Sequence, residues 1–195
     1  MSILLRLKHW QVFMLTFGLL VLAYIFLAVV GMSRSRELVG MTGYAIQAIP
    51  FVEIASFVIA NFWVFVIGTR LYPKQEYYRD SLMLLIFRWC IYFSTLATSA
   101  RLMIFPTLGF YGPINEYITI LVIAGGIYCS YFAARLLNSV EQERAAPFRE
   151  FVGDFILFIF YPIGVWWLQP RVNRIFGSDN PVYDPDAPLD QQAIN

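Results

Sequence analysis

The stretch FVGDFILFIFYPIGVWWL, residues 151–168, decides how the chain is threaded. Only Asp154, Pro162 and two glycines, Gly153 and Gly164, interrupt its apolar residues. About 18 such residues can cross the hydrocarbon of a bilayer. The run is apolar on all sides, which argues for insertion over lying flat on the surface. Pro162 removes a backbone donor and Gly164 loosens the turn after it, so a helix here has to bend. The few residues around Pro162-Ile163-Gly164 leave little chain for a return. A kinked fifth span is therefore the expectation, with a re-entrant turn as its alternative.

Four longer runs precede it. Trp10 to Val30 follows the basic segment Arg6, Lys8, His9, and a second run covers about Ile49 to Leu71, with Pro50 suited to a first helical turn. A third, Ser81 to Phe105, ends at Pro106, and a fourth, about Ile114 to Leu137, starts after Pro113. Each meets the requirement of about 20 mostly apolar residues per crossing. The first run is longer than the roughly 7–15 residues of a signal-peptide core, and Val29-Val30-Gly31 is a poor cleavage site, so it reads as an uncleaved span. Ser33 to Tyr44, with Gly40 and Gly43, reads as a short loop, and Asn138 to Glu150 as a charged helical extension broken near Pro147. Residues 178–195 carry four aspartates, three prolines and no basic residue, and read as an acidic tail. The expected fold is all-α: a polytopic transmembrane helical bundle over residues 1–177, with about five spans at 10–30, 49–71, 81–105, 114–137 and 151–168.

Composition agrees. The 195 residues are 59% hydrophobic and 14% charged, with a mean hydropathy of +0.62. Soluble domains have about 45–50% apolar and about 25% charged residues, so the lipid bilayer is the expected partner. Fourteen basic and thirteen acidic residues are scattered along the chain, which argues against nucleic acid. Two cysteines and one histidine are too few for most metal or haem chemistry, so no metal or cofactor is expected. His9 cannot anchor a two-histidine arrangement, and no Gly-x-Ser-x-Gly, Walker or His-Glu-x-x-His motif occurs. No catalytic residue is assigned.

With five spans and the N-terminus inside, Arg6, Lys8, Arg70, Lys74, Arg79, Arg135, Arg144 and Arg149 face inward, against Arg34, Arg36, Arg171 and Arg174 outside. Four ionisable residues fall within spans: Glu53, Arg88, Arg101 and Asp154. Counted from each span's midpoint, Glu53 and Arg101 are level near the outer leaflet, and Arg88 and Asp154 are level toward the inner one. Two intramembrane ion pairs are expected, Glu53–Arg101 and Arg88–Asp154. Gly126, Ser130 and Ala134 follow the small-x-x-x-small spacing that lets a second helix approach closely, and packing within this chain is the favoured use of it.

The opening Leu7-Lys8-His9-Trp10-Gln11-Val12-Phe13 resembles the start of a group of small bacterial polytopic membrane proteins. The closing Tyr161-Pro162-Ile163-Gly164-Val165-Trp166-Trp167-Leu168-Gln169-Pro170-Arg171-Val172-Asn173 is similar to their final segment. The resemblance covers about the first tenth and last fifth of the chain. It implies class, with a bacterial inner membrane as the expected location, and no activity; the bias of basic residues among the loops is what supports a cytoplasmic N-terminus. Gln169, Arg171 and Arg174 then read as an interfacial polar cap that touches lipid headgroups or a partner. The reading reached is a non-catalytic structural or accessory subunit, with other membrane proteins as candidate partners. A small carrier or channel using the intramembrane charges is the alternative, and a lipid-modifying enzyme the third.

Overall fold

A computed structural model describes residues 7–32, 36–74, 81–103 and 112–177. Residues 1–6, 33–35, 75–80, 104–111 and 178–195, the last being the acidic tail, fall outside the described residues. The chain is a helical bundle with no strand among the described residues. Helix α1, His9–Phe13, runs through a π-helical turn at Met14–Gly18 into α2, Leu19–Met32. Helix α3 is Arg36–Leu71, closed by a 3-10 turn at Tyr72–Lys74. Helix α4 is Ser81–Met103, α5 is Pro113–Glu141, α6 is Phe148–Ile159 and α7 is Tyr161–Gly177.

Four of these segments are long and apolar enough to cross a membrane: His9–Val30, Gln47–Lys74, Ser81–Met103 and Pro113–Glu141. The polytopic bundle expected from the sequence is borne out, with the last apolar run as its fifth hydrophobic segment. One boundary is corrected. Of the stretch Ser33 to Tyr44 expected as a loop, residues 36–44 are helix, because α3 begins at Arg36 and carries Pro50 inside it. Residues such as Glu37, Leu38, Met41, Ala45 and Gln47 favour helix, and two glycines at about 1 kcal/mol each do not outweigh them. Within lipid, helix also satisfies the backbone better than a loop does.

The starts and ends have local causes. The Lys8 backbone N–H donates to Gln11 Oε1 at 2.9 Å, which meets one of the unbonded donors that open α1. Thr16 Oγ1 donates to the Val12 carbonyl at 2.6 Å, back-bonding of the kind that bends helices, at the site of the π turn. Pro113 sits at the first position of α5, where its missing donor costs nothing.

The core lies where α3, α4, α5 and α7 meet. Trp63, Ile67, Phe87, Leu137, Leu168 and Val172 are fully buried there. The Phe87 and Phe132 rings stack at 4.7 Å and tie α4 to α5. Close approach depends on two glycines. A Cβ at Gly68 would lie 2.5 Å from the Phe87 ring, and one at Gly125 would lie 3.3 Å from Ser94 Oγ. In lipid, van der Waals contact of this kind is the main adhesive between helices.

The last apolar run forms a helical hairpin. Phe160, at φ −88° and ψ 48°, ends α6, and its carbonyl accepts from the N–H groups of Ile163 at 3.0 Å and Gly164 at 2.9 Å. Arg171 Nη1 then donates to Asp154 Oδ1 at 2.6 Å. On one straight helix those residues would stand about 25 Å apart, far beyond the reach of a side chain. The chain therefore turns back at Phe160, and the kinked crossing gives way to its re-entrant alternative. The reason is steric at the turn: Gly164 packs so tightly that a Cβ there would lie 1.9 Å from the Leu157 carbonyl oxygen. Two helices can meet that closely without any long connecting loop.

Candidate functional site

Two polar regions are built by this fold. The first is a clasp at the end of the bundle that holds Leu7, Lys74, Glu141 and the last turns of α7. Glu141 closes α5, and the hairpin returns Arg171 to it. Arg171 Nε donates to Glu141 Oε1 at 2.9 Å, and Nη2 donates to Glu141 Oε2. The same guanidinium holds Asp154, whose other oxygen accepts from Asn138 Nδ2. The side chains of Arg171, Glu141 and Asp154 are 28%, 18% and 11% exposed, so these are charge-assisted bonds largely out of water. Hydrogen bonding to Glu141 raises the Arg171 guanidinium above its ordinary value; burial opposes this, and Asp154 adds to it.

A second polar relay lies beside it. Trp63 Nε1 donates to Gln169 Oε1 at 2.6 Å. Gln169 Nε2 donates in turn to the Leu7 carbonyl at 3.0 Å and to Asn173 Oδ1 at 2.9 Å, and Asn173 Nδ2 also donates to Leu7 at 3.2 Å. Leu7 precedes the first hydrogen-bonded turn of α1. The relay thus joins the first helix, the second span and the last helix through one fully buried glutamine. Lys74 Nζ donates to the Ile175 carbonyl at 3.2 Å and sits 4.9 Å from the Phe176 ring.

These contacts correct the expected pairs. Asp154 does not meet Arg88: it meets Arg171, and Arg88 stands on the exposed side of α4. Glu53 does not meet Arg101: it accepts from the Tyr24 hydroxyl, and Arg101 is exposed on α4. Level depth does not suffice for a pair, because two residues also have to face each other around their helices. Gln169 and Arg171 bond within the chain rather than outward; Arg174 is the exposed one of the three, at 77%, and lies 3.6 Å from Glu141. Ser130 and Ala134 are buried within the bundle, as internal packing requires. Gly126 is not, since a Cβ on it would meet nothing within 4 Å.

The space beside Gly126 is the second polar region, a crevice of about 510 Å³ between α2, α3, α5 and the hairpin turn. Apolar side chains such as Phe17, Leu20, Phe57 and Ile127 make most of its wall, and Glu53, Ser56, Asn61 and Tyr161 interrupt it. Ser56 Oγ, Asn61 Nδ2 and Tyr161 Oη are buried and complete no hydrogen bond. A buried polar group without a partner costs about 1–3 kcal/mol, and three of the five such atoms among the described residues belong to the lining of this crevice, the Tyr161 hydroxyl beside Thr16. The sequence carried a signal for them: Glu53, Ser56, Ala60 and Asn61 fall on one helical face at spacings of three, four and one. Comparison with known protein families, with curated proteins and with solved structures gives no match for this chain.

Proposed function

We propose that the protein is a non-catalytic accessory subunit of a bacterial inner membrane, with α4 as the helix that meets its neighbour. Arg88 carries the reading. It lies in the first half of an apolar span, on a face where Leu85, Trp89 and Leu96 are also exposed, and makes no ion pair among the described residues. Charged side chains in spans almost always turn inward or pair, and an outward one calls for a partner beyond the chain. Beside it, Leu85, Ile86, Trp89, Cys90, Gly125 and Tyr128 line a groove of about 590 Å³. The groove and the guanidinium together suit an apolar helix bearing one carboxylate. A carrier has less support, because Glu53 and Asp154 are engaged while Arg88 and Arg101 face outward, so the four charges line no common path.

A photoactivatable residue in place of Trp89 should give one discrete cross-linked heteromer in native membranes, and one in place of Ile25 on α2 should not. Arg88→Gln should remove that product while leaving the amount of protein unchanged. Cross-links from position 89 to lipid alone would overturn the subunit reading.

The hairpin also bears on orientation. Its return brings Arg171 and Arg174 to the end that already holds Lys8, Lys74 and Arg144, which concentrates basic residues there and supports a cytoplasmic N-terminus. The end of α7 then lies on the same side. A fluorescent protein fused after Gly177 should fluoresce in cells, and alkaline phosphatase fused there should stay inactive; the opposite pattern would count against this placement.

A further inference from the structure

We propose that the crevice beside Gly126 binds a neutral membrane amphiphile through a carbonyl oxygen, with Ser56, Asn61 and Tyr161 as its hydrogen-bond donors. Its volume, about 510 Å³, falls within the roughly 300–1,000 Å³ of small-molecule sites. Ser56 is only 6% exposed and its hydroxyl has no partner. The Asn61 amide nitrogen can only donate, so whatever fills the crevice has to offer an acceptor. The Tyr161 hydroxyl approaches the same space from the hairpin turn.

Charge narrows the class. Among the described residues no Lys, Arg or His lines the crevice, and its one ionisable carboxyl, Glu53, already accepts from Tyr24. An anionic headgroup would find no cation there and one carboxyl to repel it. A neutral carbonyl finds donors in Ser56, Asn61 and Tyr161 without a charge to oppose, and the apolar walls take its hydrocarbon part. Gly126 keeps the space open: no atom lies within 4 Å of where its Cβ would stand. An ester of a diacyl lipid and the ring carbonyl of a quinone share this chemistry.

The test uses the full chain in phosphatidylcholine nanodiscs with two photoactivatable probes, a diacylglycerol and a short-chain benzoquinone. One of them should label the segments 53–64 and 123–130 saturably, and which one identifies the source of the carbonyl. Labelling should fall about tenfold in Asn61→Leu, the loss that goes with one hydrogen bond to a buried amide. It should fall as far in Gly126→Leu, which fills the crevice where no neighbour stands in the way and therefore keeps the wild-type melting temperature. Labelling by both probes that does not saturate, or labelling unchanged in folded Gly126→Leu, would overturn the proposal.

Discussion

Replacing Gly164 with Ala should cost about 4 kcal/mol or more, the largest loss expected from a single methyl at the glycines whose surroundings are described. The Cβ would stand 1.9 Å from the Leu157 carbonyl oxygen and 2.6 Å from its carbon, and backbone atoms cannot swing aside as a side chain can. The turn has to open, and with it goes everything the hairpin brings together: the Arg171 clasp and the relay through Gln169. Gly153→Ala is the matched control. It lies in α6, a Cβ there meets nothing within 4 Å, and alanine is the better helix former by about 1 kcal/mol, so this variant should equal or exceed the wild type. Unfolding in mild detergent, followed by protease sensitivity after Phe160, measures both. Equal stability of the two variants would show that the turn is not the constraint described here.

Arg171→Met should be nearly as severe, at about 3–5 kcal/mol, because it leaves Asp154 with no cation and Glu141 with only the exposed Arg174, both carboxylates largely out of water. The size of the loss comes from the stranded carboxylates more than from the lost attraction. The triple variant Arg171→Met, Glu141→Gln, Asp154→Asn should therefore recover a large part of it. Arg171→Lys should fall between, since an ammonium keeps the charge but cannot hold two carboxylates with a planar fork. A chemical-denaturation series across the four proteins separates these contributions. Arg171→Met within 0.5 kcal/mol of the wild type, the spread of ordinary surface changes, would mean that the clasp does not hold the hairpin.

The four long spans were legible because one physical requirement, about 20 apolar residues with every backbone group bonded, leaves its mark on each run. The hairpin was not. Phe151 to Leu168 is long enough to cross and can also turn, and local sequence is the same for both. What decides is a contact between Gly164 and a carbonyl seven residues earlier, together with a cation seventeen residues beyond Asp154. The ion pairs failed for a related reason. Depth is one coordinate of a helical residue and direction is the other: Phe87, Ile91 and Ser94 take the inward face of α4, which leaves Arg88 outside. The polar face of α3 is a sequence signal for the crevice, whereas Gly126 in its wall has the spacing of a packing glycine and only the empty space beside it tells the two uses apart.

The relay at Gln169 also bears on how the protein is made. The Leu7 carbonyl, at the head of the first helix, takes its hydrogen bonds from Gln169 and Asn173, 162 and 166 residues later in the chain. A ribosome delivers α1, and then the tryptophan of α3 and the glutamate that ends α5, well before their partners exist. Until α7 emerges, Leu7, Trp63 and Glu141 lack the groups that satisfy them in the finished bundle. A chain released before Tyr161 would keep those groups unmet at a membrane boundary, where each is expensive. Closure of the bundle thus waits for α7, and a copy that stops short of it lacks the groups that complete the clasp and the relay.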